Sequence, residues 1–374
     1  MIRFTKSSIT ELEEQYVLDV LRNGILSGDG KYTPLVYKQF EQRFGIKNML
    51  LTTSGTAALE MASILIDLCE GDEIIVPSFT FSSTVNAFLL RGAKPVFCDI
   101  RRDTLNIDET LIEGLITDKT KAIYTVDYSG VACEYDVINK IADKYGIFVI
   151  EDSAQAVGSY YKGQPCGTLT PFGCYSFHET KNYVMGEGGG IVLNEDRFFE
   201  RAEIIREKGT NRSQLIRGMV DKYTWHDIGS SFLPSDILAA VLYAQMERFD
   251  EIMSKRLNVW NTYQRILESA ETAGKLKRQV VPPECEHNGH LYNIILPNSD
   301  VRNRVIDEMK ARGAACHICY VPLHSAPMGR KLGYEPSSCP VTEEYGSCIL
   351  RLPLHANMTT EDAEFVADSI CEVV

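Results

Sequence analysis

The chain has 374 residues, 44% hydrophobic and 24% charged, a composition typical of a globular protein with one large and one smaller domain. Its formal net charge of −13 disfavours nucleic acid as a partner, because neutralising phosphates requires a basic surface. No stretch approaches 18 uncharged apolar residues and the first residues lack an apolar signal region, so we expect a cytoplasmic protein that does not bind a membrane.

The eleven cysteines predict free thiols, because their number is odd and no export signal is readable. One close pair, Cys316 and Cys319, has the spacing of zinc ligands, but no second pair lies near it. We therefore predict no metal site.

Short β-rich runs alternate with helical patterns between residues 46 and 195, which predicts a mainly parallel sheet wrapped by helices. The runs lie at residues 73–76, 95–98, 122–126, 147–150 and 190–193. Ligands of such sheets bind beyond the carboxyl ends of the strands. Ser78, Asp127 and Asp152 fall there.

The second half of the chain changes character. Apolar spacing from residue 235 to residue 268 predicts one long linker helix. The tail is predicted to contain a strand at 291–296, a helix at 302–313, a strand at 315–321 and a closing helix at 360–373. We therefore divide the chain into a large domain, residues 1–240 with an N-terminal helix, and residues 241–374 with the linker helix and a small α+β domain.

A helical pattern that begins near Ser54 offers a phosphate site. Unpaired amides at a helix start and the positive end of its dipole favour an anion. Gly55 lets the backbone approach closely, and Ser54 or Thr56 can donate a hydroxyl. A helix cap without any ligand has the same pattern, so this signal alone is weak.

Asp152 follows a predicted strand, and Lys181 follows a further apolar run. The carboxylate could keep a pyridine nitrogen protonated, and a desolvated lysine could form a Schiff base, as pyridoxal 5′-phosphate (PLP) requires. Four glycines within residues 186–190 would let the backbone pass close to the cofactor. A strand-end acid in a turn and a surface lysine are the alternatives.

Three further residues could complete such a site. Phe81 is a candidate to stack on the pyridine ring, although an aromatic residue at this position is as often part of a core. Gln155 could donate to the phenolic oxygen of the cofactor, or lie on the surface. Ser176 could be a second phosphate donor.

Together, residues 54–56, 77–84 and 151–155 and the pattern Ser176-x-His178-x-x-Lys181 before Gly-Glu-Gly-Gly resemble the DegT/StrS family of nucleotide-sugar aminotransferases. The resemblance covers nearly the whole chain. It implies the α/β architecture of fold-type I PLP-dependent transferases, with a mostly parallel seven-stranded sheet between helices and a smaller C-terminal α+β domain. It also implies a homodimer with shared active sites.

The resemblance assigns Lys181 as the catalytic Schiff-base lysine and Asp152 as the partner of the pyridine nitrogen. It assigns these further cofactor contacts: Gly55, Thr56, Phe81, Gln155 and Ser176. The family often has Gly-x-Asn-x-Arg where this chain has residues 229–233, so Ser231 is a shorter substitute for a phosphate contact from the partner subunit. Some relatives carry histidine in place of the lysine and act as dehydratases, so Lys181 favours amino transfer.

Five basic side chains lie within 17 residues of an acidic protein, as a sugar-nucleotide diphosphate would need, namely Arg206, Lys208, Arg212, Arg217 and Lys222. A solvated helix end and loop is the alternative. We expect Arg212, Lys222 and, on the C-terminal domain, His324 to contact the substrate.

Residues 176–183, 206–214 and 221–225 resemble the branch of the family that makes dTDP-4-amino-4,6-dideoxygalactose. The implied reaction uses dTDP-4-dehydro-6-deoxy-glucose and L-glutamate, releases 2-oxoglutarate, and serves surface polysaccharides such as enterobacterial common antigen or O-antigen. A GDP- or UDP-linked 4-keto sugar, a PLP-dependent sugar dehydratase and a non-catalytic protein of this fold remain alternatives.

Overall fold

The computed structural model describes residues 1–318 and 320–374. The helices in that part of the chain are α1 (Glu11–Asn23), α2 (Tyr32–Phe44), α3 (Gly55–Leu65), α4 (Ser82–Leu89), α5 (Glu109–Ile112), α6 (Tyr135–Tyr145), α7 (Phe199–Arg206), α8 (Arg212–Ile216), α9 (Asp236–Glu247), α10 (Phe249–Ile266), α11 (Glu268–Thr272), α12 (Ser299–Ala311), α13 (Pro327–Lys331), α14 (Pro340–Cys348) and α15 (Thr360–Val373). The strands are β1 (Met49–Thr52), β2 (Glu73–Pro77), β3 (Lys94–Cys98), β4 (Thr120–Val126), β5 (Phe148–Asp152), β6 (Tyr160–Tyr161), β7 (Gln164–Pro165), β8 (Phe172–Ser176), β9 (Gly189–Leu193), β10 (Lys277–Arg278), β11 (Cys285–Glu286), β12 (Tyr292–Ile295), β13 (His317–Ile318) and β14 (Ile349–Leu352).

Seven strands form the large sheet, in the order β1-β9-β8-β5-β4-β2-β3. The five strands from β8 to β3 run parallel, and β9 runs antiparallel to both β1 and β8. Most residues of these strands are buried, as expected for a sheet covered on both faces by helices. The predicted α/β fold with a mostly parallel seven-stranded sheet is confirmed, and the five predicted strands agree with β2, β3, β4, β5 and β9 to within two residues.

Two smaller sheets complete the fold. The four strands β10-β12-β14-β13 form an antiparallel sheet in the C-terminal half. Its core includes Val259 of α10, Val305 of α12 and Val366 of α15, all fully buried. The strands β11-β6-β7 form a three-stranded sheet that joins residues 285–286 to the large half of the chain.

The single linker helix predicted for residues 235–268 is two helices in the structure. Helices α9 and α10 meet at Arg248, whose φ of −100° and ψ of 17° interrupt the helical path. The predicted domain boundary at residue 240 falls inside α9, where Ala239, Ala240 and Leu242 belong to the same core as residues of α2. The two-domain division stays a prediction, and the break at Arg248 is the better place for its boundary.

Predictions for the tail agree for the strand β12 and the helices α12 and α15. The strand expected at 315–321 is described only as β13, His317–Ile318, and Cys319 lies outside the described residues. All ten described cysteines have free thiols, as expected. Within the described ranges, no helix has the length and apolar character needed to cross a membrane.

The amino-terminal segment, residues 2–8, crosses between distant parts of the chain. The Ile2 amide donates to the Gly313 carbonyl at 2.7 Å, and the Leu354 amide donates to the Phe4 carbonyl at 3.2 Å. At the other end, the Ser7 hydroxyl donates to the carbonyl of Glu179 at 3.1 Å. The segment therefore ties the C-terminal half to the loop that carries Lys181.

Candidate active site

A cavity of about 490 Å³ lies at the carboxyl ends of the parallel strands, a usual size for a small-molecule site. The strand ends β4, β5 and β8 contribute Val126, Asp152 and Ser176 to its wall. The C-terminal half closes the opposite side with Tyr320 and Arg351. The site therefore lies where the rule for open α/β sheets places it.

Seven of the residues predicted from the sequence line this cavity together. They are Gly55, Thr56, Phe81, Asp152, Gln155, Ser176 and Lys181. They come from separate segments of the chain, so only the fold brings them to one place.

The start of α3 forms one end of the cavity. Ser54 caps this helix by accepting a hydrogen bond from the Ala57 amide at 3.0 Å, and Gly55 is its first residue. A Cβ atom on Gly55 would lie 2.9 Å from the Cβ of Ser176, and one on Gly189 would lie 2.4 Å from the Ser54 carbonyl. Only glycine fits at these two close approaches, and Ser54, Gly55 and Thr56 at the start of the helix line the cavity.

Asp152 lies at the end of β5 with its carboxylate held by two donors. The Thr84 hydroxyl donates to Oδ2 at 2.7 Å, and the Ala154 amide donates to Oδ1 at 3.2 Å. Burial raises the pKa of Asp152, while the hydrogen bond from Thr84 and the positive charge of Lys181 oppose that rise. The geometry fixes the carboxylate in one orientation in the wall of the cavity.

Lys181 lies in the loop between β8 and β9, with its side chain beside the cavity. The pKa of its amine is lowered from 10.5 to about 8: burial is the largest cause, Asp152 opposes it, and the positive charge of Arg351 adds to the lowering. An amine with such a pKa is partly neutral near pH 7, and a neutral amine is the form that acts as a nucleophile or base.

The amide of Gln155 has a fixed orientation. Its Oε1 accepts a hydrogen bond from the Ser129 amide at 2.7 Å, so its Nε2 donates, with the Tyr320 hydroxyl as acceptor at 3.2 Å. The ring of Tyr320 also lies 6.0 Å from that of Phe81, whose side chain is 57% exposed. Gln155 therefore presents a donor to the cavity, and Phe81 presents a ring.

Several lining residues were not predicted as site residues, namely Phe4, Thr84, His290, Tyr320 and Arg351. Thr84 belongs to the segment 77–84 that carries the family resemblance. Its position at a helix start, three residues after Phe81, could have marked it as a site residue. No local sequence motif marks the other four as site residues. His290 is bound through Nδ1 to Oδ1 of Asn182 at 2.9 Å, and burial, together with the positive charge of Lys181, lowers its pKa well below 6.5.

The basic segment from Arg206 to Lys222 is not the positive patch that its sequence indicated. Arg206 is buried and paired with Asp29 at 2.8 Å, and Arg217 is paired with Glu203 at 2.7 Å. Arg212 lies 3.2 Å from Glu207. Arg212, Lys222 and Ser231 do not line the cavity of their own chain.

The expectation that His324 contacts the substrate needs correction. Its side chain has 0% exposure, and its Nδ1 lies 2.5 Å from the Ser78 hydroxyl. The amide of Leu323 donates to the carbonyl of Ser78 at 3.0 Å. His324 therefore attaches the C-terminal half to the end of β2, behind the cavity wall rather than inside the cavity.

Two buried carboxylates, Asp127 and Glu151, lie beneath the site with Cys166, and their ligand atoms lie within 4.8 Å of one another. Hydroxyls of Tyr135 and Ser153 donate to Asp127, and backbone amides donate to Glu151. Burial raises the pKa of both acids; Asp127 raises that of Glu151 further, whereas the hydrogen bond from Glu151 lowers that of Asp127. The donors and a shared proton satisfy this pair, so we assign no metal to it.

This donor set fits PLP. The helix start with Gly55 suits the phosphate, the carboxylate of Asp152 suits a protonated pyridine nitrogen, and a neutral Lys181 suits the aldehyde. Phe81 and Gln155 are placed for the ring and its phenolic oxygen.

Comparison with known proteins identifies relatives over the whole chain. Residues 7–371 match the model of the DegT/DnrJ/EryC1/StrS aminotransferase family. The GDP-perosamine synthase of Caulobacter vibrioides is 30% identical over 364 residues, which cover 97% of this chain and 95% of that protein. The pleiotropic regulatory protein of Geobacillus stearothermophilus is 33% identical over 321 residues, 85% of this chain and 83% of that protein.

Among solved structures, the putative sugar aminotransferase Spr1654 from Streptococcus pneumoniae in its PMP form superimposes with a TM-score of 0.93 and 26% identity. The match covers 100% of this chain and 99% of that one. The PLP form of the same protein superimposes with a TM-score of 0.92. The chain therefore belongs to the DegT/DnrJ/EryC1/StrS family of PLP-dependent sugar aminotransferases, and its cofactor is PLP.

Proposed function

We propose that the protein transfers the amino group of L-glutamate to C4 of a dTDP-4-dehydro-6-deoxy-hexose. The products are dTDP-4-amino-4,6-dideoxy-D-galactose and 2-oxoglutarate. The placement of Lys181 and Asp152 in one cavity, beside a glycine-lined helix start, carries the proposal. Bound there, PLP supplies the electron sink that makes the hydrogen on the amine-bearing carbon acidic.

Each of the cavity residues predicted from the sequence has a defined task in this reaction. Asp152 holds a proton on the pyridine nitrogen, and the amide of Gly55 with the hydroxyls of Thr56 and Ser176 binds the phosphate. Gln155 donates to the phenolic oxygen. Phe81 covers the ring.

Lys181 moves the proton at the reacting carbon. Its pKa of about 8 leaves a usable fraction of neutral amine near pH 7 and still allows the protonated form to return the proton. A lysine at this position, instead of the histidine of dehydratase relatives, supports amino transfer over loss of water.

The likeness of residues 176–183, 206–214 and 221–225 to the dTDP-sugar branch supports the nucleotide that we propose. A GDP-linked 4-keto sugar is the second candidate, because a relative over 97% of the chain is a GDP-perosamine synthase. We further propose that the product serves surface-polysaccharide assembly, as in enterobacterial common antigen or O-antigen.

We also propose a homodimer in which each chain completes the cavity of the other. Apolar side chains around Arg212 and Lys222 are largely exposed, among them Met219 at 65% and Trp225 at 79%. Burial of such side chains favours association. Arg212, Lys222 and Ser231, which do not reach their own cavity, would then contact the site of a second copy.

Mixed dimers test this arrangement. We expect Lys181→Ala and Arg212→Ala chains to be inactive or weakly active alone. A dimer of one of each regains one intact site if the two residues act across the interface. Co-expressed, doubly tagged dimers should therefore recover about half the wild-type activity per dimer. No recovery would contradict shared sites.

Purified protein and a panel of substrates test the reaction. We expect a yellow protein whose visible absorbance is lost in Lys181→Ala, consumption of L-glutamate with the dTDP-linked ketone, and a galactose configuration at C4 by NMR. Turnover with only a GDP- or UDP-linked ketone would contradict the proposal that the nucleotide is dTDP. Loss of water from the sugar, with no amino group left on the product, would identify a dehydratase, and absence of any half-reaction with glutamate would favour a non-catalytic role.

A further inference from the structure

Ser129 lies in the turn after β4 with its backbone in the left-handed region, at a φ of 65° and a ψ of 10°. Residues with a Cβ atom seldom adopt this conformation, because the Cβ crowds the backbone, so surrounding contacts must hold it there. The side chain of Ser129 is 1% exposed. The strained turn is therefore buried inside the protein rather than placed in an exposed loop.

The turn directs the amide of Ser129 at the side chain of Gln155. This amide donates to Oε1 of Gln155 at 2.7 Å, and Nε2 of Gln155 donates to the Tyr320 hydroxyl at 3.2 Å. The Nε2 group has two hydrogens, and the second can be donated to a ligand in the cavity, which Gln155 lines. The Ser129 amide therefore determines which end of the Gln155 side chain acts as the donor at the cofactor site.

The side chain of Ser129 is bound by the C-terminal sheet. Nδ2 of Asn293, a residue of β12, donates to the Ser129 hydroxyl oxygen at 3.2 Å. Asn293 is 3% exposed, and its Nδ2 also donates to Oε1 of Gln279 at 3.3 Å, which fixes the orientation of the Asn293 amide. Glycine would adopt the conformation of Ser129 without strain but would offer Asn293 no oxygen. The hydroxyl thus connects the strained turn to the second half of the chain.

We propose that Ser129 and Asn293 are positioning residues that fix the direction in which Gln155 donates its hydrogen bond. Asn293 holds the turn, the turn presents the Ser129 amide, and the amide orients Gln155. This inference rests on the proposed hydrogen bond from Gln155 to the phenolic oxygen of PLP. Tyr320, the acceptor of Gln155, also belongs to the C-terminal half, so that half of the chain acts on both ends of the Gln155 side-chain amide.

The strength of the hydrogen bond from Gln155 determines a measurable property of the bound cofactor. A donor to the phenolic oxygen stabilises the negative charge of that oxygen most when the cofactor-bound nitrogen of Lys181 has lost its proton. A weaker donor therefore raises the pH at which this proton is lost. The visible absorbance of the holoenzyme changes with the loss of the proton, so its pH midpoint reports the orientation of Gln155.

The pH midpoint of the visible absorbance is measured on holoenzyme without substrate. Gln155→Leu removes the donor, and we expect its midpoint to rise by about one pH unit, the size of a lost hydrogen bond to a charged group. Asn293→Leu should raise the midpoint by at least about 0.3 pH unit, because the turn loses its partner. Ser129→Ala keeps the backbone amide but removes the hydroxyl, so it should shift the midpoint in the same direction. It gives a second reading if Asn293→Leu fails to fold.

A double variant separates positioning from a general effect on structure. If Asn293 acts through Gln155, the combination of Gln155→Leu with Asn293→Leu has the midpoint of Gln155→Leu alone, whereas independent effects add. Asn139→Leu is the matched control, because the half-buried Asn139 donates to the carbonyl of Leu169 at 2.9 Å and does not line the cavity. Its midpoint should equal that of the wild type.

An unchanged midpoint in either Asn293→Leu or Ser129→Ala, measured on protein that binds PLP, would overturn the assignment. Additive shifts in the double variant would overturn it as well. An unchanged midpoint in Gln155→Leu would show that there is no hydrogen bond to position, and the assignment would fail with it. The measurement uses no sugar and no amino donor, so failure of the proposed amino transfer is detected separately, by the absence of a half-reaction with glutamate.

Discussion

The lowered pKa of Lys181 determines how fast the apoprotein takes up PLP at each pH. With a pKa of about 8, about a tenth of Lys181 side chains are neutral at pH 7. With the ordinary value of 10.5, about three in ten thousand would be neutral, so burial in this cavity increases the reactive fraction about 300-fold. The rate of PLP uptake should therefore rise with pH, with its midpoint near pH 8, and level off above that pH.

Two charged neighbours of Lys181 should move this midpoint in opposite directions. Asp152 stabilises the protonated amine, so Asp152→Asn should shift the midpoint to lower pH. Arg351 destabilises the protonated amine, so Arg351→Gln should shift it to higher pH. Simple loss of structure cannot produce two shifts of opposite sign.

The assay is the initial rate at which visible absorbance appears when PLP is added to apoprotein, from about pH 6 to about pH 10. The rate measured with Lys181→Ala reports the reaction of PLP with other lysines, and it is subtracted from every other rate. Because the same PLP solution is used throughout, its own ionisation cancels between variants. A wild-type midpoint near 10.5, or shifts of the same sign in the two variants, would refute the reasoning.

The two remaining predictions concern the phosphate end and the buried acid pair. Gly55→Ala places a Cβ 2.9 Å from that of Ser176, so it should weaken PLP binding, measured by equilibrium dialysis, about tenfold or more. Gly114→Ala is the control: its Cβ meets open space, so this variant should bind PLP as the wild type does. Burial raises the pKa of Asp127 to about 6 and raises that of Glu151, so the folded pair keeps a proton that the unfolded chain releases above about pH 4. The contribution of Asp127 to stability is therefore full at lower pH and is lost as pH rises through about 6, and that of Glu151 is lost as pH rises through its own raised pKa. Asp127→Asn should flatten the pH dependence of the urea midpoint between about pH 4 and about pH 7, and an unchanged slope would contradict the shared proton.

The central part of the site was predictable because local sequence determines it. A glycine at a helix start, an acid at the end of an apolar strand and a lysine before a glycine cluster each mark a place where the backbone turns at the edge of the sheet. In a parallel sheet those places lie side by side. Gly55, Asp152 and Lys181 could thus be assigned to one cavity before the structure.

The rest depends on contacts between distant parts of the chain. Arg351 reaches the cavity only because β14 pairs with β12 and β13, and no local pattern indicates that placement. The prediction of a positive patch from the basic segment failed for the same reason, since Asp29, which pairs with Arg206, is 177 residues away. His324 was expected in the cavity, but its partner Ser78 is 246 residues away and holds it behind the wall.

The crossing of residues 2–8 also bears on how the protein is made. Residues 2 and 4 find their partners at residues 313 and 354, which are synthesised after all the strands of the large sheet. The wall that contains Phe4 therefore cannot form until the chain has been made as far as residue 354, and its closure joins segments that are distant in sequence. Met1 is 94% exposed, so a tag before it can extend outward, while removal of the following residues would open the cavity. A closed cavity consequently shows that residues 2–8 have paired with partners made long after them.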